Sequence, residues 1–250
     1  FTPVSGLPLV QAGDDLISMI LTQADACGIT IEDEDIFVIA QKIVSKSENR
    51  LVNLKDIQAG LKAKRLARKV DKDPRLVELI LRESNEVLRS QDGKLIVEHK
   101  QGFVCANAGI DHSNTRVDQG SDHFVLLLPE NGDASADHIR YGLEKATGKK
   151  LGVLIIDSHG RAWRNGTVGT TIGVSGFPAL VDLRGQPDLF GFKLRITQVG
   201  AADELAAGAS LLMGQADEGV PVVHVRGFPY TFRESSLQEL IRSKRKDLFR

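Results

Sequence analysis

The sequence predicts an α+β protein of mixed sheets with packed helices. Apolar runs of strand length stand at Ile36–Ala40 and Leu151–Asp157. Helical apolar stripes stand at Asp14–Cys27 and Ala136–Thr147. The two kinds of segment are interspersed without the regular alternation of a doubly wound parallel sheet. A chain of 250 residues suffices for one large core. We read residues 1–250 as a single domain, with a weak break near Glu130–Ala134 that would separate two lobes.

The elements follow in order. In Asp14–Cys27, Asp14 is placed to cap a helix whose stripe is Leu16, Ile17, Ile20 and Leu21. Asp73-Pro74 opens a second long helix, with Pro74 in its first turn and Leu76, Val77, Leu79, Ile80, Val87 and Leu88 near one side. Leu95–Glu98 and Phe103–Ala106 flank a Gln-Gly turn and read as a hairpin. Gly148 closes the helix Ala136–Thr147. Leu151–Asp157 reads as a buried strand that ends at its acid. Thr167–Gly176 carries three glycines among Thr, Ile and Val, the composition of a backbone in close contact with a neighbour. Leu194–Val199 reads as a strand, Asp203–Gly214 as an Ala-rich helix and Pro221–Arg226 as another strand. Ser236 and Glu239 have the spacing of a capping box for a last helix running into the basic tail Arg242–Arg250.

Composition excludes several functions. Lys and Arg number 32 against 33 Asp and Glu, a formal net charge of −1. That balance lacks the basic excess of a general nucleic-acid or membrane-surface binder. No apolar run nears the roughly 20 residues that span a bilayer. The two cysteines, Cys27 and Cys105, read as ordinary buried thiols of a reducing compartment. The start at Phe1 lacks the plan of a signal peptide and reads as a trimmed start. Together these give the expectation of a cytoplasmic protein.

The common phosphate signatures fail. Gly142 to Lys149 has one residue too many for a P-loop and lies at a helix C-terminus, where orphan carbonyls repel phosphate. Gly173-Val-Ser175-Gly176 is one residue short of a nucleophile elbow. Asp157, Ser158 and His159 make no triad, because adjacent strand residues point apart. His112, His159 and His224 lack zinc-site spacing.

Two acids remain. Asp111 follows the strand Phe103–Ala106, and Asp157 is followed by Ser158. Carboxylates beside loops can hold a divalent cation against phosphate oxygens, and a phosphate-bound Mg²⁺ takes only one or two of them. A lone Asp there is more often a turn cap. Lys46 could meet phosphate as a point charge, although taken alone it reads as a solvated lysine. Met213–Val220 offers tight-turn glycines and the oxygens of Gln215, Asp217 and Glu218, or else is a plain acidic loop. Arg161 and Arg164 flank the single Trp163 and could clamp an anion or pair with aspartates.

Taken as an ordered set, these segments resemble the coenzyme F420-0:L-glutamate ligase family over nearly the whole chain. The set begins with Gly6-Leu-Pro-Leu-Val10 and Gly13-Asp-Asp-Leu16. It continues through Ile43-Val-Ser-Lys46, Asn107-Ala-Gly-Ile-Asp111, Ser113-Asn114, Asp157-Ser158, Gly160-Arg161 and Trp163-Arg-Asn-Gly166. It closes with Ala202-Asp-Glu204, Leu211-Leu-Met-Gly214, Gln215–Val220, Val225-Arg-Gly227 and Asp247-Leu-Phe-Arg250. Asn49 stands where the family commonly has Gly, and Asn tolerates the left-handed backbone. Ala40-Gln41 stands where some members carry hydroxyl residues. Some relatives carry a second, flavin-binding domain after this one; with the sequence stopping at Arg250, that domain is expected to be either absent or cut away.

The resemblance implies GTP-dependent addition of L-glutamate to coenzyme F420-0, and of a further γ-linked glutamate, through an acyl phosphate. It implies that Leu7, Pro8, Leu9, Val10, Lys46, Asn114, Met213, Gly214, Gln215, Ala216, Asp217, Glu218, Gly219 and Val220 meet the nucleotide. Asp111 and Asp157 would be the catalytic acids and hold one divalent metal, Mn²⁺ or Mg²⁺. Ser158 and Gln215 would belong to a second. Potassium stimulation and an intertwined homodimer are implied as well. Apart from the resemblance, which assigns them no role, Arg161 and Arg164 are read as orienting substrate carboxylates. The rival readings are the same chemistry on another acid and amine, a metal-dependent phosphohydrolase, and a non-catalytic nucleotide-binding protein.

Overall fold

The computed structural model describes residues 1–112 and 123–248. In chain order the strands and helices are β1 (Thr2–Pro3), α1 (Leu16–Ala26), β2 (Ile36–Ala40), α2 (Gln41–Ser47), β3 (Leu51–Asn53), α3 (Leu61–Val70) and α4 (Pro74–Arg82). Next come β4 (Ser84–Gln91), β5 (Lys94–His99), β6 (Val104–Ala106), β7 (Phe124–Leu126), α5 (Gly132–Thr147), β8 (Gly152–Arg161) and β9 (Arg164–Ser175). The last are β10 (Val181–Asp182), β11 (Gln198–Val199), α6 (Ala201–Met213) and β12 (Val222–Val225).

The central sheet has the order β1-β12-β2-β8-β9. Only β2 and β8 run parallel; the other neighbours in that sheet are antiparallel. Smaller antiparallel sheets join β4-β5-β6, β3-β7 and β10-β11. The predicted α+β class therefore holds, with mixed and antiparallel sheets.

Strand alternation divides the core in two. Ile36, Val38, Leu154 and Ile156 pack with Ala202, Ala206 and Ala209 of α6. Phe37, Ile39, Val153 and Ile155 turn the other way, into a cluster with Ile20 of α1 and Ala136, Ile139 and Leu143 of α5. Both faces of β2 and β8 are thus covered. This is why these strands read as continuous apolar runs and not as alternating ones. The close contact expected of Thr167–Gly176 is present: a Cβ on Gly173 would collide with the Gly132 carbonyl of α5, and one on Gly169 with the Ala206 carbonyl of α6.

Several expectations need correction. Asp15, not Asp14, caps α1, accepting from the Ile17 and Ser18 amides; Asp14 instead accepts from the Gln11 amide at 2.7 Å. The helix from Asp73 stops at Arg82. Val87 and Leu88 belong to β4, whose pairing with β5 overrides a helical period that no Gly or Pro interrupts. Asp157 does not end its strand, because β8 continues to Arg161 in a long hairpin with β9. Within Leu194–Val199 only Gln198–Val199 is strand. Ser236 caps no helix: Leu237–Glu239 is a single 3₁₀ turn, and Glu239 pairs with Arg233 at 2.7 Å. The last two residues of the basic tail lie outside the described residues. Cys105 is buried as expected, but Cys27 is exposed.

Helix α3 escaped the sequence reading because its buried face is small: Ala63, Ala67 and Val70. The hairpin β5-β6 and the Gly148 cap, with φ 69°, are as expected. The segment 130–134 falls at the start of α5, where Asn131 is the N-cap. Among the described residues, no helix is long and apolar enough to cross a membrane.

Candidate active site

The site lies where β2 passes directly into α2. Gln41, the first residue of α2, is buried between two partners. Its Nε2 donates to Asp111 Oδ2 at 2.8 Å, and its Oε1 accepts from Ser45 Oγ at 2.9 Å. The next residue, Lys42, reaches the same Asp111 oxygen with Nζ at 3.0 Å.

Asp111 is held from the other side by its backbone. Asn107, Ala108 and Gly109 are consecutive left-handed residues, with φ 52°, 56° and 66°. At Ala108 such a conformation costs about 1–2 kcal/mol. The turn is fastened by the Leu95 amide donating to Asn107 Oδ1 at 3.1 Å. It delivers Asp111 to β7, where the Asp111 and Leu126 main chains exchange hydrogen bonds at 3.0 and 2.9 Å.

Asp157 comes from β8. Two positions on, His159 shares its face of the strand, and His159 Nε2 lies 3.0 Å from Asp157 Oδ2. Burial opposes charge on Asp157, but the His159 contact, with the Ser158 amide and the Lys42 charge, outweighs it and holds the carboxyl below its ordinary range. Asp111 moves the other way. Burial and the neighbouring Asp157 charge push it up, against Lys42 and Gln41. The two acids are therefore near enough to repel each other.

Two cavities adjoin here. A small one of about 300 Å³ is lined by Asp111, Asp157, Ser158, His159 and Gln215, among others. A cleft of about 1170 Å³ is lined by Leu7, Pro8, Leu9, Val10, Lys46, Asp157, Ser158 and the loop Met213–Val220. Lys42, Asp157, Ser158 and Gln215 line both. The cleft slightly exceeds the roughly 300–1,000 Å³ usual for small-molecule sites.

Local chemistry shapes the cleft walls. Gly214 ends α6 at φ 71°, and a Cβ there would strike the Glu218 carboxylate. Glu218 folds back so that its Oε2 accepts from the Ala216 amide at 2.8 Å. That bond and further loop amides hold its carboxyl below the ordinary range. Lys46 is half-buried; desolvation first, and the charge of Lys42 second, lower its pKa. Asn49 has φ 57°, the left-handed backbone its side chain tolerates.

Asn114 lies outside the described residues. Arg161 and Arg164 face each other across the β8–β9 hairpin near its tip, both exposed and outside both cavity linings. Lys42 carries no sequence signal of its own, and His112 and His159 are set aside there as zinc or triad members, yet all three line the cavities. Reading 41–47 as helix would have placed Gln41 beside Ser45 and Lys42 beside Lys46, each one turn apart. The argument from adjacent strand residues hid the pairing of Asp157 with His159, two positions apart.

The sequence has counterparts among known proteins. The model of the F420-0:Gamma-glutamyl ligase family matches residues 6–227. The coenzyme F420:L-glutamate ligase of Methanothermobacter thermautotrophicus is 45% identical over 249 residues, covering 99% of this chain and 97% of its own. That of Methanococcus maripaludis strain C6 is 49% identical over 220 residues, covering 88% and 86%. That of Archaeoglobus fulgidus is 41% identical over 248 residues, covering 99% and 95%. The class so defined is that of the ligases. Within it, this chain belongs to the F420-0:gamma-glutamyl ligase family.

Proposed function

We propose that this protein is a GTP-dependent ligase that joins L-glutamate to coenzyme F420-0, and then a further γ-linked glutamate, in coenzyme F420 biosynthesis. The observation that carries the reading is the shared wall of the two cavities. An acid pair sits in the small cavity, and the cleft beside it offers lysines and a glycine-containing loop.

The residues present fit a divalent cation. Asp111 and Asp157 repel each other across one small cavity. Ser158 and Gln215 add neutral oxygens to the same lining. Asp111 and Asp157 would hold one Mn²⁺ or Mg²⁺, and Ser158 and Gln215 would belong to a second. Such ions neutralise phosphate charge and bring an anionic nucleophile within reach.

The protein's own groups would do the rest. Leu7 to Val10 and Met213 to Val220 would enclose the nucleotide, with Lys46 as a point charge on its phosphates. An oxygen of the F420-0 carboxylate attacks the γ-phosphorus of GTP; the bond to the β-phosphate oxygen breaks and GDP leaves. The glutamate amine then attacks the acyl carbon of the acyl phosphate, inorganic phosphate leaves, and the amine gives up a proton. Arg161 and Arg164 are proposed to orient substrate carboxylates; outside both cavity linings of their own chain, they would do so at a neighbouring protomer's site. We propose a homodimer, potassium stimulation and a cytoplasmic setting as part of the same reading. Support for the dimer comes from the segment between β10 and β11, where Leu189, Phe190 and Ile196 are 98%, 95% and 87% exposed.

The test is a ligation assay with F420-0, GTP, Mn²⁺ and L-glutamate, read by product mass. Gain of glutamyl units with matching GDP release, lost without metal, supports the reading. Phosphate release without mass gain favours a phosphohydrolase. GTP binding without either favours another acceptor or a non-catalytic role.

A further inference from the structure

We propose that Lys42 is a resident counter-ion of the Asp111–Asp157 pair, exchanged for a divalent cation when the site loads and then turned toward the nucleotide's phosphates. The inference rests on the metal and GTP reading above. It assigns a role in it to a residue that the sequence motifs passed over.

Asp111 Oδ2 has two donors of unlike character. Gln41 is buried and anchored at its other end by Ser45, so its bond is fixed. Lys42 is half-exposed on a flexible stem, and its ion pair is with Asp111. Of the two, only Lys42 can leave at small cost.

Charge requires that it leave. Asp157 faces the same cavity, so two carboxylates share one ammonium. A divalent cation matches both, and it cannot sit beside Asp111 Oδ2 with an ammonium 3.0 Å from that oxygen without strong repulsion. Lys42 also has somewhere to go, because it lines the large cleft as well as the small cavity. Lys46 is one turn further along α2, on the same face and also in the cleft lining. Two ammoniums converging there are unfavourable until an anion arrives between them. A triphosphate is such an anion, so phosphate binding and cation loading would help each other through Lys42.

Mn²⁺ binding to the nucleotide-free full chain, followed by paramagnetic resonance of the free ion, tests the exchange. Lys42→Met should bind Mn²⁺ at least about fivefold more tightly than the parent, because no ammonium competes. Lys42→Arg, which keeps the charge, should stay near the parent. Without metal, Lys42→Met should melt lower than the parent, and Mn²⁺ should raise its melting temperature more. Lys42→Gln repeats the measurement should the Met variant fold poorly. The KM for GTP should rise in both neutral variants. Equal or weaker Mn²⁺ binding in them overturns the counter-ion role, and an unchanged KM for GTP overturns the turn toward phosphate. A parent protein that binds no Mn²⁺ with or without GTP overturns the metal reading itself, so the two failures are distinguishable.

Discussion

His159 Nε2 stands 3.0 Å from Asp157 Oδ2, and both side chains are largely withdrawn from water. The contact fixes one carboxylate oxygen of a residue that also lines the small cavity. His159 is itself held by Phe103, whose ring centroid is 5.5 Å away, and Phe103 stacks on His99 at 4.9 Å. His159 is thus a positioning residue. Replacing it with Ala should weaken Mn²⁺ activation of ligation by about 10- to 100-fold. Gln, which retains a donor, should recover part of the loss. A Mn²⁺ activation curve that His159→Ala leaves unchanged would show that Asp157 needs no such support.

His99 makes stability pH-dependent. Burial lowers its pKa from 6.5 to about 4 in the folded protein, while the unfolded chain keeps the ordinary value. Between those values the unfolded state binds the extra proton. The stabilisation is therefore complete above about pH 6.5 and lost as pH falls toward 4, by about 3 kcal/mol at most. Denaturant melts across that window should show the loss, and His99→Gln should flatten it. A parent whose stability is constant from pH 6.5 to 4 contradicts the assignment.

Gly173 lets β9 touch α5. Because a Cβ there would collide with the Gly132 carbonyl, Gly173→Ala should destabilise the fold by about 1–3 kcal/mol or more. Urea unfolding measures this directly. A neutral result would mean that the helix can move off the sheet without loss.

The apolar segment between β10 and β11 bears on the proposed dimer. Phe190→Asp would set a charge into any interface formed there and should yield monomers by light scattering. A parent protein already monomeric at micromolar concentration, or a variant that remains dimeric, would move the interface elsewhere.

Elements whose apolar pattern reflects local geometry were legible in the sequence. The buried runs of β2 and β8 and the α5 terminator Gly148 carry their signal in adjacent residues, and the glycines of β9 announce a close contact whose partners, Gly132 and Ala206, lie elsewhere in the chain. Elements decided by partners far along the chain were not. Nothing near Glu83 announces the end of α4, since β4 forms only because β5 lies beside it. The acids were legible as candidates, and the glycines around Met213–Val220 as a loop. The groups that fix the acids were hidden, because Gln41 and Lys42 meet Asp111 only after β2, α2 and β7 have packed. Asp157 and His159 were separated by an argument about adjacent residues that does not apply two positions apart.

The central claim is that Asp111 and Asp157 serve one metal-dependent ligation. Its most direct test compares the parent with Asp111→Asn and Asp157→Asn in the glutamylation assay, reading product mass and GDP at saturating Mn²⁺ and confirming folding by melting. The account predicts glutamylated F420 from the parent, with each folded variant slower by about 100-fold or more. Folded variants that ligate at the parent rate would contradict it.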